Sequence, residues 1–471
     1  MERSFKKEVA QLRLGEGETF SGEGILAVTK ALLQSGVSYI GGYQGAPVSH
    51  LLDVMLDSSE LLDELGVHLE TPTNEAAAAA MLAASINYPM RGAVTWKSVV
   101  GTNVASDALS NLSSAGVIGG AMIVIGEDYG EGASIIQERS HAFAMKSSMC
   151  LLDPRPNLTS IVDTVEKGFE LSEASNMPVM LQLRIRACHI SGRFAARDNR
   201  SPMVSRNQLL AEPDFNIDRF CLPPSTYLQE KHKIEYRLPA AERFITENKL
   251  NEVFDGDLSD IGIITMGGLY NGVVRALERV GLSDIYGASR VPIYVMNVTY
   301  PVVSKELQEF CLGKKSVLVV EEGYPDYIEQ AVHVALRKAD VQTRVVGKEV
   351  LPKVGEYTAD VVLGGVEKFL ESEASDNLIA SMSSSAITHS NALKARAAEL
   401  LGTPIPSRPP SFCTGCPERP VFSAIKIVEK ELGPTHIAAD VGCHTFSALP
   451  PFNLGNTMVG YGLGLASSAG V

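Results

Sequence analysis

The sequence is short of several things, and each shortage excludes a class of protein. No hydrophobic run is long enough to cross a bilayer. The longest nearly apolar stretch, 115–126, has twelve residues of which four are glycine, whereas about 20 are needed. That stretch reads as a buried strand. There is no Lys/Arg-rich run either, and 41 Lys and Arg stand against 55 Asp and Glu, a formal charge of −14. Such a chain gains little from phosphate backbones, so no nucleic-acid partner is expected. Cysteine is sparse and odd in number, seven in all, and Cys150, Cys188, Cys221 and Cys311 follow no spacing. No disulfide framework is expected, and a reducing, cytoplasmic compartment is. The opening MERSFKKEVAQLRLGEGE mixes both charges and has no apolar core of signal-peptide length.

What the chain does have is an ordinary globular composition. It is 45% hydrophobic and 20% charged, with 41 Gly and 24 Pro, which excludes disorder, collagen and coiled coil for its bulk. At roughly 100–200 residues per domain, 471 residues imply about three domains.

Short apolar runs alternate with helix-like segments from residue 18 to 190. Helices are expected over 21–35, 47–62, 74–86, 98–112 and 162–175, and strands over 37–40, 67–69, 92–96, 120–125 and 178–184. Strands alternating with helices mean crossover connections and a parallel sheet covered on both faces. Residues 196–257, rich in Arg, Pro, Asn and Lys, read as a linker. A second alternating block fills 258–371, a Ser- and Pro-rich linker 372–411, and a third block starts at 412. The glycine-rich end, 460–471, reads as a helix leading to a further strand, so the third unit is expected to be incomplete here. The fold class expected is α/β, with three parallel-sheet domains.

Three motifs carry chemistry. Cys413-Thr414-Gly415-Cys416 projects two thiols from one turn, and Cys443 follows an expected strand at 437–439. A soft metal, an iron–sulfur cluster, a redox pair or plain structural cysteines all fit that spacing. His444, adjacent to Cys443, is awkward as a fourth ligand of one tetrahedral ion. Asn74-Glu75 opens an alanine-rich helix, where a carboxylate meets the positive end of the helix dipole. Glu75 is thus either a helix-start residue or, beside a close contact permitted by the alanines, a desolvated acid or base. Glycine turns at 41–47 and 266–268 lie between strand and helix. They serve either to bring backbone N–H groups to a ligand or simply to turn the chain. The polar stretch Gln137–His141 reads as a solvated helical face or an interface.

Taken in order, GGYQGAP near residue 41, TNEAAAAAMLAAS near 73, WKSVVGTNVASDAL near 96, RPPSFCTGCPERPVFSAIK near 408 and DVGCHTFSALPPFNLGNT near 440 resemble one family. It is the thiamine-diphosphate-dependent 2-oxoacid:ferredoxin oxidoreductases, and within it the indolepyruvate-type alpha subunits. The resemblance covers nearly the whole chain. It implies a pyrimidine-binding domain over 1–195, a transketolase C-terminal-like domain over 258–371, and the start of a pyrophosphate-binding domain over 412–471. It assigns Glu75 to the aminopyrimidine N1′ of thiamine diphosphate, and Gly45 and Asn103 to the cofactor pocket. Cys413, Cys416 and Cys443 become three ligands of a [4Fe-4S] cluster, with the fourth and the Mg2+ ligands expected beyond Val471. Where the family commonly has a threonine that can meet the substrate carboxylate, this chain has Ala46, and the neighbouring donors Ser49 and His50 are the candidates to replace it.

The activity so implied is oxidative decarboxylation of an aryl 2-oxoacid such as indolepyruvate to an acyl-CoA. Thiamine diphosphate, Mg2+ and [4Fe-4S] would be the cofactors, and coenzyme A the co-substrate. A smaller subunit and ferredoxin or another electron acceptor would be the partners, in a dimer of heterodimers, with neither nucleic acid nor membrane involved. The alternatives are a non-oxidative thiamine-dependent decarboxylase and an inactive structural subunit of such a complex.

Overall fold

The structure is a computed structural model that describes residues 4–129, 136–208, 215–374, 384–403 and 411–470. The chain divides into two compact units, Met1–Ala392 and Leu393–Val471.

The first unit holds two large sheets. Strands β1 (Thr19–Glu23), β2 (Tyr39–Gly42), β3 (His68–Glu70), β4 (Gly92–Lys97), β5 (Ala121–Gly126), β6 (Cys150–Leu152), β7 (Val179–Leu183) and β8 (Ser191–Ala195) come from its first half. Strands β9 (Glu252–Phe254), β10 (Ile261–Met266), β11 (Ile293–Met296), β12 (Val298–Tyr300), β13 (Ser316–Val320) and β14 (Arg344–Val346) come from its second. The first sheet runs β12-β6-β7-β5-β4-β2-β3, and the second β14-β13-β10-β11-β9. Both are parallel except for one antiparallel edge strand each, β12 against β6 and β9 against β11. The architecture is α/β.

Alternation along the strands builds two cores from one sheet, because successive side chains point to opposite faces. Ala93, Met122, Val124, Val179 and Leu181 join the core under the helices Gly24–Gln34 and Leu158–Ser175. Val94, Trp96, Ile123, Ile125 and Met180 face the other way, toward the helices Glu75–Met81 and Ser106–Ala115. Both faces being covered, the central strands read as continuous apolar runs. Burying each such Val, Leu or Ile side chain contributes about 1.5–3 kcal/mol.

Several elements depart from the expectation. Residues 19–23, read largely as helix, form β1, because β8 pairs with them antiparallel from Thr19↔Ala195 to Glu23↔Ser191. The stretch 196–257 contains the helices Ser225–His232 and Leu238–Glu247 and the strand β9. The second of these helices buries Ala241 and Ile245 in the first sheet's core. Strand β12, from the second half of the unit, completes the edge of the first sheet.

The turn 266–268 packs against the segment that follows β6. A Cβ on Gly267 would lie 1.9 Å from the Asp153 carbonyl oxygen, so glycine is required for the close approach of the two sheets. Of the two readings of Gln137–His141, the structure leaves Gln137 and Glu138 exposed and places Arg139–His141 at an interface with the second sheet. Arg139 and His141 are buried, Arg139 is ion-paired with Glu321 of the second sheet, and the His141 ring stacks on Tyr327 at 5.3 Å. Burial and the adjacent Arg139 charge push His141 down to about 3. Arg184 bridges Asp153 and Glu322 nearby.

The second unit is small. Strands β15 (Ala438–Ala439) and β16 (Thr457–Met458) pair in parallel, beside the helix Arg419–Leu432 and the short helix Gly464–Ser468. Its core is Phe412, Phe422 and Leu454.

No described helix is long and apolar enough to cross a membrane.

Candidate active site

The chain leaves β2 for β3 on one side and returns to β4 on the other. The carboxyl ends of β2 and β4 therefore flank a topological switch point, the place where open parallel sheets bind ligands. The loop 41–47 follows β2, Asn74-Glu75 follows β3, the π-type turn Ser98–Thr102 follows β4, and Glu127-Asp128 follows β5. All these segments converge on one edge of the sheet.

The loop 41–47 is tied to β4. The Tyr43 N–H donates to the Thr95 carbonyl at 2.9 Å, and the Lys97 ammonium donates to the Ala46 carbonyl at 2.9 Å. A Cβ on Gly45 would meet the Lys97 Cβ at 2.5 Å, so only glycine lets the loop lie this close. Burial pushes the Lys97 ammonium below its ordinary value, while Asp128 and Glu127 act in the opposite direction.

Glu75 is the first residue of its helix, and the two readings of it separate here. The capping bond belongs to Asn74, whose side-chain oxygen accepts the Ala77 N–H at 2.9 Å. Glu75 itself is 5% exposed, and among the described residues no Lys, Arg or His is ion-paired with it. Burial pushes its carboxyl up, opposed by a hydrogen bond from its own backbone. A buried carboxyl with a raised pKa and no cation beside it is suited to exchange a proton with a ligand nitrogen. On that test Glu75 fits the pyrimidine ring of thiamine diphosphate.

The other expected residues fall as follows. Ala46 is exposed, with its carbonyl held by Lys97. Ser49 opens the helix Ser49–Asp57 and is partly exposed. His50 packs edge-on to Phe5 at 5.3 Å and to His189 at 5.9 Å, so its ring is held in an aromatic row. Asn103 is exposed and donates to Glu138 at 3.0 Å.

Sequence reasoning missed Lys97, Glu127 and Asp128 as site residues. Glu127 is buried and accepts from Ser98 Oγ at 2.9 Å, from the Ser140 N–H at 2.8 Å and from the Tyr129 hydroxyl. Asp128 is buried, and its Oδ1 accepts the Ile185 N–H at 2.8 Å while its Oδ2 has no partner. Burial pushes the Asp128 carboxyl up. Two acids directly after an apolar strand were the available signal.

In the second unit the Cys416 N–H donates to the Cys413 carbonyl at 3.2 Å, closing the Cys-x-x-Cys turn. The Cys443 thiol is pushed up by burial and then by the negative charges of Glu418, Cys413 and Cys416. Phe412 and Phe422 stand 5.4 Å apart beside this turn, and His444 faces Glu418 at 3.7 Å. Among the described residues no group of three or more His, Cys, Asp or Glu is arranged to hold a metal ion. As a donor set, three thiols suit a soft metal or iron–sulfur chemistry and not Mg2+.

The fold and this carboxyl-edge site define an α/β chain with its candidate site at the switch point of a mostly parallel sheet. A solved 2-oxoglutarate:ferredoxin oxidoreductase from Magnetococcus marinus, with 2-oxoglutarate, coenzyme A and succinyl-CoA bound, superposes with a TM-score of 0.55 at 17% identity, over 74% of this chain and 65% of that one. This likeness is one of fold.

More particularly, the chain is similar to indolepyruvate oxidoreductase subunit IorA over nearly its whole length. Residues 251–400 match the family model described as the indolepyruvate oxidoreductase domain. The Methanothermobacter marburgensis subunit is 27% identical over 469 residues, which cover 98% of this chain and 69% of that protein. The Methanothermobacter thermautotrophicus subunit is 28% identical with the same coverage. The Pyrococcus abyssi subunit is 27% identical over 93% of this chain, which spans 63% of the relative's length. These likenesses support a 2-oxoacid oxidoreductase subunit.

Proposed function

We propose that this chain is the thiamine-diphosphate-binding subunit of an enzyme that oxidatively decarboxylates an aryl 2-oxoacid, indolepyruvate-like, to an acyl-CoA and CO2. The observation that carries the reading is Glu75, a buried, raised carboxyl at the carboxyl edge of the sheet. Bound thiamine diphosphate supplies a thiazolium that stabilises negative charge at the former keto carbon, and iron–sulfur centres take up electrons one at a time.

The residues of this chain then have separate tasks. Glu75 holds a proton at the pyrimidine N1′ position, where burial keeps that proton from being lost to water. Gly45 and Asn103 line the cofactor crevice, one as bare backbone and the other as an amide anchored on Glu138. Ser49 and His50 stand at the start of the helix after the loop 41–47, on the substrate side. Cys413, Cys416 and Cys443 would hold a [4Fe-4S] cluster whose remaining ligand comes from elsewhere. Electrons pass to ferredoxin or another acceptor, and a smaller subunit completes the complex in the reducing cytoplasm.

The test is anaerobic viologen reduction by the natively purified complex given indolepyruvate, with and without coenzyme A and thiamine diphosphate. Reduction that requires both supports the reading. A complex that binds thiamine diphosphate and iron yet reduces nothing with indolepyruvate or phenylpyruvate refutes the substrate class, and one that binds no thiamine diphosphate refutes the whole.

A further inference from the structure

A π-type turn is rare, and where one occurs it frequently lies at a functional site. The turn Ser98–Thr102 follows β4 at the switch point. Its inner part rests on Trp96. A Cβ on Gly101 would lie 2.3 Å from Cδ1 of that indole, and Trp96 Nε1 donates to Thr102 Oγ1 at 3.2 Å. The two flanks of the turn, Ser98 and Asn103, are held from outside it.

Both are held by carboxyl groups that come after β5. Ser98 is 1% exposed, and its Oγ donates to Glu127 Oε2 at 2.9 Å. At the other flank, Asn103 Nδ2 donates to Glu138 Oε2 at 3.0 Å. Glu127 is also 1% exposed and accepts from two further donors, the Ser140 N–H at 2.8 Å and the Tyr129 hydroxyl. Its own N–H donates to the Leu183 carbonyl on β7 at 3.0 Å. With three donors on it and almost no exposed surface, Glu127 is a tie between segments.

What these carboxyl groups are tied to is equally firm. Ser140 opens the helix Ser140–Ser147, so the N–H it gives Glu127 is one that has no acceptor within the helix. Arg139 beside it is ion-paired with Glu321 of the second sheet. Gln137 accepts the Gly355 N–H at 3.2 Å, and His141 stacks on Tyr327. The turn at the first sheet's switch point is thereby fastened, through residues 137–141, to the second sheet.

We propose that Glu127 and Glu138 are positioning residues of this site, which clamp the turn Ser98–Thr102 at its two flanks and set Asn103 in place before the cofactor binds. This rests on the reading of the site given above, in which Asn103 lines the cofactor crevice. Neither carboxyl group touches the reacting atoms. A turn ordered beforehand spares the cofactor the entropy of ordering it, and the clamp therefore shows in cofactor affinity.

The experiment measures thiamine diphosphate binding to the assembled complex by isothermal titration calorimetry, beside the urea midpoint of each protein. Ser98→Ala cuts the buried tie and is expected to weaken binding about tenfold. Glu138→Ala cuts the tie on the surface and is expected to weaken it about threefold, whereas Glu138→Gln, which still accepts from Asn103, keeps wild-type affinity. Glu138→Ala is expected to add nothing to Asn103→Ala, and Ser98→Ala nothing to Glu127→Met, since each pair removes one link. If Glu127→Met fails to assemble, the other variants carry the test. Phe369→Leu, in the core of the second sheet, is expected to lower the urea midpoint and to bind the cofactor as the wild type does.

Wild-type affinity in Ser98→Ala removes Glu127 from this role, and wild-type affinity in Glu138→Ala removes Glu138. An equal loss in Glu138→Gln and Glu138→Ala also overturns the clamp. So does an equal loss in Phe369→Leu, which makes the effect one of general stability. A wild type that takes up no thiamine diphosphate overturns the reading of the site, and the clamp with it.

Discussion

Replacing Glu75 by glutamine should make the cofactor-free protein more stable and the enzyme nearly inactive. The carboxyl is 5% exposed, so ionising it means giving up hydration with no cation in return. The positive end of its helix returns only about 0.3–1 kcal/mol, and the balance leaves its pKa above the ordinary 4.5. A carboxyl raised in the folded state binds its proton more tightly there than in the unfolded chain. Stability is therefore lost as pH rises above the ordinary value, and the loss is complete above the raised one. Glutamine keeps the shape and never ionises. Removing such a built-in penalty commonly stabilises by about 0.5–2 kcal/mol. Urea unfolding of the cofactor-free protein should show Glu75→Gln gaining on the wild type between pH 5 and pH 8, by roughly that amount at the upper end. Turnover should fall by about 10²–10⁴-fold, the usual range for a lost acid–base group, which is about 3–5 kcal/mol of barrier. A variant that is less stable at pH 8 would refute the desolvation argument. A variant retaining a tenth or more of wild-type turnover would refute the proton-exchange role.

Other expectations follow from the same geometry. Arg139→Met should lower stability by about 3–5 kcal/mol, because Glu321 stays buried without its cation; a shift in the urea midpoint equivalent to under 1 kcal/mol would count against it. Lys30 donates to the Leu12 and Leu14 carbonyls and to Asn199, and burial pushes its ammonium down to about 8. The protonated form is penalised in the fold, so the wild type should gain stability relative to Lys30→Met as pH climbs from about 8 toward the ordinary 10.5; a flat difference between pH 7.5 and 10 would contradict this. Cys413→Ser should lower the iron bound per chain in the purified complex, and an unaltered ratio would remove Cys413 from the ligand set.

How far the sequence could be read depended on whether an element's reason for existing was local. The central strands were legible because burial on both faces leaves an unbroken apolar run, as in Ala121–Gly126 and Ser316–Val320. Strand β1 was not, because its partner lies more than 170 residues away at Ala195 and its own residues, Thr-Phe-Ser-Gly-Glu, favour nothing strongly. The helix Leu238–Glu247 was hidden by the proline and charge around it, and it forms against the helix Leu158–Ser175. Glu75 stood out through its place after Asn74. Lys97 and Asp128 could not, since each matters only where separate strand ends meet. For the stretch around Arg139 a solvated face and an interface both stayed open, because Glu321, the group that holds Arg139 inside, is 182 positions further on.

Strand β12 carries a consequence for how the molecule is made. It comes from the far half of its unit, yet it hydrogen-bonds to β6, with Thr299 reaching back 148 positions to Leu151. On a ribosome adding about 5–20 residues per second, roughly 7–30 s separate the emergence of the two strands. Through that interval β6 presents a bare, apolar margin, the kind of template on which neighbouring chains aggregate. A nascent chain of this protein should therefore be at its most adhesive midway through synthesis, and a fragment cut before Val298 would keep that adhesiveness for life.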